Sequence, residues 1–172
     1  MTTNIGIFFG SDTGNTEKIA ARIQTCLGKN ISTIYDIADS KQEDIEQYNT
    51  VILGVSTWYY GELQCDWDDF LPIFKKINFC NKTIAFFGCG DQEDYSEYFC
   101  DGIGILFNNI KKTHVNFIGK WSTNDYFFDD SKALYNDQYF LGLAIDEDRQ
   151  SKKSEKRVIE WTQQLKKELQ IT

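Results

Sequence analysis

Three short segments carry the residue types that could bind a ligand and support its chemistry. The first is Gly10-Ser11-Asp12-Thr13-Gly14-Asn15-Thr16. Its glycines let the backbone turn tightly, while Ser11, Thr13, Asn15 and Thr16 supply neutral donors. A helix starting here adds unpaired N–H groups and a positive dipole end, which suit a phosphate. The segment has no lysine and misses the G-x-G-x-x-G spacing, so neither a Walker A loop nor a dinucleotide fingerprint is indicated. The second segment, Ser56-Thr57-Trp58-Tyr59-Tyr60-Gly61, sets three aromatics in a row. They cannot all face a core, so some are exposed or stack on something flat. The third is Gly88-Cys89-Gly90-Asp91-Gln92-Glu93-Asp94-Tyr95. Its two glycines permit close backbone approach to a ligand, and Tyr95 offers a second flat face. Cys89 and Cys100 have no basic neighbours in the sequence and read as small packed residues.

Each segment alone also fits a plain structural role: a capped turn, an aromatic patch for a protein partner, a glycine-bearing turn with an acidic end. Together they form one phosphate cradle and two aromatic walls. That combination asks for a ligand with a phosphate at one end and a flat ring at the other, and FMN fits.

The elements that must position these segments alternate between strand and helix. Ile5–Phe9 reads as a buried strand, and Thr16–Leu27 as a helix with Ile19, Ile23 and Leu27 on one face, stopped by Gly28. Ile31–Tyr35 is a second strand, followed by a short helix around Glu43–Tyr48. Val51–Val55 is a third strand, uniformly apolar as in a sheet covered on both faces. Asp66–Ile77 reads as a helix, Thr83–Phe87 as a fourth strand and Ser96–Lys112 as a long helix. Val115–Ile118 begins a fifth strand. Residues 120–139 then break the rhythm with Trp121, Tyr126, Phe127, Phe128, Tyr135 and Tyr139, before a further apolar run at Phe140–Ile145. This stretch reads as an insertion that splits the fifth strand and folds onto the same single domain, residues 1–172. Ser154–Leu169 closes the chain as a helix. Such alternation implies an α/β fold with three layers: a five-stranded parallel sheet, order 2-1-3-4-5, with helices on both faces. In such sheets ligands sit beyond the carboxyl ends of the strands at the switch point. All three segments follow strands there.

The chain has 172 residues, of which 41% are apolar and 15% aromatic, and its only proline is Pro72. It can bury a core, and disorder is disfavoured. The net charge is −8, unevenly placed: from Arg149 to Thr172 seven basic residues face three acidic ones. Acidic groups cluster at Asp66, Asp68 and Asp69, at Asp91, Glu93, Asp94 and Glu97, and at Asp146, Glu147 and Asp148. Such a surface repels nucleic acid and steers toward basic partners, or simply aids solubility. The five cysteines show no C-x-x-C and there is one histidine, His114, so the spacing offers no metal set. No run is long enough to span a bilayer, and the N-terminal residues lack a leader pattern. A cytoplasmic, reducing location is expected.

The segments GIFFGSDTGNT, TWYYGELQCDWDDF, FFGCGDQEDYSEYFCD and GLAIDEDRQ resemble the bacterial long-chain flavodoxins. The resemblance runs from Ile5 to about Leu169 and includes the split fifth strand (WSTNDY…DSKAL). It implies non-covalently bound FMN. The phosphate loop would be Ser11 to Thr16, the inner ring loop Ser56 to Gly61 with Trp58 stacking, and the outer wall Tyr95 with Cys89, Gly90 and Asp91 beside it. Tyr98 would lie at the edge and Asp146 near the ribityl chain. Ser56 departs from the family, where many relatives have Pro. The resemblance also implies an electron carrier rather than an enzyme. It would be a monomer that shuttles between semiquinone and hydroquinone, from an NADPH-dependent flavoprotein reductase to acceptor redox enzymes. In the family a peptide in the second loop turns over during reduction. Here it is Tyr59–Tyr60, and with no glycine a positive φ would cost more. Two rivals stand beside this reading. A flavodoxin-like NAD(P)H quinone or FMN reductase needs an open site over the flavin. A phospho-receiver module needs an exposed aspartate at the end of the third strand, where this chain has Ser56-Thr57-Trp58.

Overall fold

The computed structural model describes residues 4–171. Its sheet is built from β1 (Ile5–Phe9), β2 (Ser32–Asp36), β3 (Thr50–Trp58) and β5 (Thr83–Cys89), with β6 (Asn116–Phe117) and β10 (Leu143–Ile145) on the far edge. β1 pairs in parallel with β2 and β3, and β3 with β5. Both β6 and β10 pair in parallel with β5, at opposite ends of it. Taking those two pieces as one position gives the expected order 2-1-3-4-5.

Side chains alternate across the strands and feed two cores. Ile5, Ile7 and Ile52 face α1 (Asn15–Leu27) and α5 (Ser151–Glu168), where Ile19, Ile23, Trp161 and Leu165 complete the layer. Phe8, Val51, Leu53 and Val55 face the other side. There they meet α2 (Gln42–Glu46), α3 (Cys65–Phe74) and α4 (Asp101–Ile110) through Ile45, Trp67, Phe74, Ile103 and Leu106. Burying each such side chain contributes roughly 1.5–3 kcal/mol.

Several boundaries depart from the sequence expectation, for physical reasons. β3 runs on to Trp58 because β4 (Glu62–Leu63) folds back antiparallel onto Thr57 and Trp58. The second segment is therefore a hairpin with Tyr59 and Tyr60 at its tip. Its turn needs left-handed backbone, which Gly61 (φ 84°) and Tyr59 (φ 46°) supply. The expected helix Ser96–Lys112 is broken: a 3₁₀ turn at Ser96–Tyr98 precedes Cys100 at φ 56°, and α4 begins only at Asp101. The break turns Phe99 into the core against Tyr126, Phe128 and Phe140. α5 starts at Ser151, three residues before the position expected from its apolar face.

Between β6 and β10 the chain forms a small antiparallel sheet of β7 (Trp121–Ser122), β8 (Leu134–Asn136) and β9 (Tyr139–Phe140), with β9 in the centre. It packs inward through Tyr126 and Phe140, while Phe127 stays 79% exposed. Trp121 donates its indole N–H to the Tyr126 hydroxyl (2.9 Å), which in turn donates to the Ala144 carbonyl (2.6 Å).

Candidate functional site

The carboxyl ends of β1, β3, β5 and β10 surround a cleft of about 300 Å³. Thr13, Asn15 and Thr16 line one end. Gly14 (φ 86°) begins α1, and no side chain caps it. Its first-turn N–H groups are thus left for an external acceptor. Ser11 does not reach the cleft. Its hydroxyl accepts from the Gly14 N–H (3.0 Å) and holds the loop's shape. Asp12 also turns away, toward the Gln64 amide (2.9 Å) and the Cys65 thiol (3.0 Å).

Ser56, Thr57, Trp58 and Tyr59 form a second wall. The Trp58 indole N–H donates to the Ser56 hydroxyl (3.1 Å), so the residue that departs from proline helps fix the ring's orientation. Thr57 is held from behind by the Gly102 N–H (2.9 Å) at the start of α4. Tyr60 lies outside the cleft, 76% exposed and edge-on to Tyr98. Gly61 and Tyr98 lie outside it too.

Cys89, Gly90, Asp91 and Tyr95 form the facing wall. Burial pushes the Cys89 thiol up to about 12, only partly opposed by a hydrogen bond with Thr16. The Asp91 carboxylate accepts from the backbone of Glu93 (2.9 Å) and Asp94 (3.0 Å) and from Arg149 Nε (3.1 Å). Burial alone would raise its pKa. Arg149 and the two N–H groups outweigh that and hold it below the usual carboxylate value. Arg149 also reaches Asp94 (2.6 Å) and Glu93 (3.5 Å), clamping the acidic loop against the start of α5.

Asp146 was expected beside a ligand, but its carboxylate is fully buried and faces the protein. It accepts from Gln92 N (3.1 Å), Gln92 Nε2 (2.7 Å), Asp148 N (3.1 Å) and Arg149 N (2.8 Å). The next two residues, Glu147 and Asp148, line the cleft in its place. Glu147 Oε1 is buried without a partner among the described residues, which leaves an acceptor available to a ligand hydroxyl. Burial raises the Asp148 pKa, and neighbouring Asp91 and Asp146 raise it further.

Gln92 and Gln64 were missed in the sequence. Gln92 Oε1 accepts from the Phe127 N–H (2.7 Å), so one buried side chain ties the third loop to Asp146 and to the insertion. Gln64 caps α3 through the Trp67 N–H (3.2 Å) and bridges Asp12 and Asp66. No periodicity marks a buried glutamine. The fold also gathers Asp12, Cys65 and Asp66, whose ligand-type atoms lie within 4.8 Å of one another. Their hydrogen bonds are internal, and the one to Asp12 pushes the Cys65 thiol up to about 11.

The residues lining the cleft include no histidine and no lysine, and its one thiol is held protonated. The arrangement can bind an anion at one end and flank a flat ring at the other.

Comparisons with known proteins show the family. The flavodoxin family model matches residues 7–161. The chain is 64% identical over 161 residues to a flavodoxin of Buchnera aphidicola from Acyrthosiphon pisum, covering 94% of each chain. It is 53% identical to flavodoxin 1 of Escherichia coli K12 over 96% of this chain and 94% of the relative. Among solved structures, a Fusobacterium nucleatum flavodoxin bound to flavin mononucleotide superposes with a TM-score of 0.90 at 30% identity, covering 96% of this chain and 98% of that one.

Proposed function

The chain belongs to the flavodoxin family, and from that premise we propose that it holds one FMN non-covalently in this cleft and carries single electrons at low potential. The observation that supports this best is the pairing of an uncapped helix start among hydroxyl donors with two aromatic walls. Thr13, Asn15, Thr16 and the first-turn N–H groups of α1 would take the phosphate. Trp58 and Tyr95 would flank the ring, and the unpartnered Glu147 oxygen would accept from the ribityl chain. Bound FMN would supply the one-electron chemistry. The chain's own contribution is electrostatic: Asp91, Glu147 and Asp148 beside the cleft disfavour added negative charge and so favour a low potential.

The protein is an electron carrier and not an enzyme. Its partners would be an NADPH-dependent flavoprotein reductase and acceptor redox enzymes, met through the acidic loops as a monomer in the cytoplasm. Rates should then fall as salt screens that surface. The test is flavin titration of the apoprotein, read by fluorescence quenching. FMN should bind far more tightly than riboflavin, which lacks the phosphate. Equal binding, or none, would refute the site. Oxidation of NADPH without any second flavoprotein would favour the quinone reductase reading.

A further inference from the structure

One ion pair joins the insertion to the start of α4, beneath the second cleft loop. Asp101, the first residue of α4, is 1% exposed. A buried carboxylate is tolerated only with partners, and among the described residues both of its partners come from Lys132 in the insertion. The Lys132 N–H donates to Oδ1 (2.7 Å), and the Lys132 ammonium lies 3.1 Å from Oδ2. The strap is close-fitting, since a Cβ on Gly104 one turn further along α4 would come within 2.1 Å of the Lys132 carbonyl. Through the same Oδ2, Asp101 also supports the flavin hairpin. A Cβ on Gly61 would lie 2.6 Å from Asp101 Oδ2, so the carboxylate packs directly under the bare turn. The neighbouring Gly102 N–H holds Thr57 (2.9 Å). The Trp58–Gly61 hairpin thus rests on an α4 terminus whose buried charge is neutralised from the insertion.

We propose that Lys132 and Asp101 are positioning residues for the flavin: through their ion pair, the insertion holds the Trp58–Gly61 hairpin in the shape that receives the ring. This rests on the FMN reading above. Without the Lys132 charge, Asp101 must draw in water, and Gly61 leaves no side chain on the hairpin side to keep it out. The hairpin then loosens while the sheet behind it stays intact.

The test compares Lys132→Met with Lys132→Arg, which keeps the charge. Lys120→Met serves as a control, because Lys120 sits over the Tyr135 ring elsewhere in the insertion (3.5 Å). Two readouts are taken on each: the FMN dissociation constant of the apoprotein, and amide hydrogen exchange of the holoprotein. Lys132→Met should weaken FMN binding about tenfold and speed exchange at residues 59–61 by a similar factor, with the amides of β1 and β3 unchanged. Lys132→Arg should restore both, and Lys120→Met should alter neither. Wild-type affinity in Lys132→Met would overturn the inference. So would weakening accompanied by equally faster exchange throughout the fold, which marks a purely structural pair. If Lys132→Met does not fold, the double variant Asp101→Asn/Lys132→Met leaves no unpaired charge. It should fold, bind FMN weakly and exchange fast at the hairpin; wild-type behaviour there overturns the inference equally. A wild-type protein that binds no FMN would remove the functional reading as well, and so is distinguishable.

Discussion

Asp146→Asn changes one atom, yet it should loosen three loops at once. The wild-type carboxylate accepts four N–H groups. The asparagine oxygen can still serve Asp148 and Arg149, whose residues are exposed and can turn to water. Its amide then faces the two donors of Gln92, which is 4% exposed and has no water to turn to. Two unsatisfied buried donors at roughly 1–3 kcal/mol each give a loss of about 2–6 kcal/mol. In urea unfolding of the apoprotein the midpoint should fall by about 1–2 M with the slope unchanged. FMN binding should weaken as well, because the freed Gln92 no longer fixes the loop that carries Tyr95. A midpoint within about 0.3 M of wild type, with unchanged FMN affinity, would refute the view that this carboxylate organises the cleft.

Other expected outcomes follow from the same contacts. The folded Asp91 pKa lies below its unfolded value, so the stability it contributes is complete above pH about 4 and is lost as pH falls through the folded value. Thermal melts of wild type and Arg149→Gln should therefore differ at neutral pH and converge in acid; a constant difference would count against the clamp. Cys65 is exposed but its thiol is pushed up to about 11, chiefly by the hydrogen bond to Asp12. At pH 8 it should alkylate more slowly than exposed Cys80 by mass spectrometry, and Asp12→Asn should speed it. At the hairpin tip, where Tyr59 already holds φ 46°, Tyr60→Gly should raise the semiquinone fraction at half reduction. No gain in a redox titration would show that backbone strain there does not limit peptide turnover.

The sheet was legible because parallel strands covered on both faces read as unbroken apolar runs, as Val51–Val55 does, and glycine-rich segments mark their carboxyl ends. The cleft's three walls followed from that placement. What the sequence hid depends on register and on contacts distant along the chain. Asp146, Glu147 and Asp148 look interchangeable as a string, but β10 delivers the first inward and the next two to the cleft. Tyr60 and Tyr98 look like ring contacts beside Trp58 and Tyr95, but the fold-back of β4 sends Tyr60 to the hairpin tip, against Tyr98. The break at Cys100 was invisible because Phe99 keeps its helical spacing with Ile103 and Leu106 while being placed by the insertion. The Lys132–Asp101 pair joins residues 31 apart, which no local pattern encodes.

The most direct measurement is the visible absorption spectrum of the purified protein through stepwise reduction by dithionite under anaerobic conditions. A yellow protein that turns blue and then pale, in two separate one-electron steps, is the expected result. A protein that stays colourless after incubation with FMN would contradict the site, and the aromatic walls would then have to be a surface for another protein.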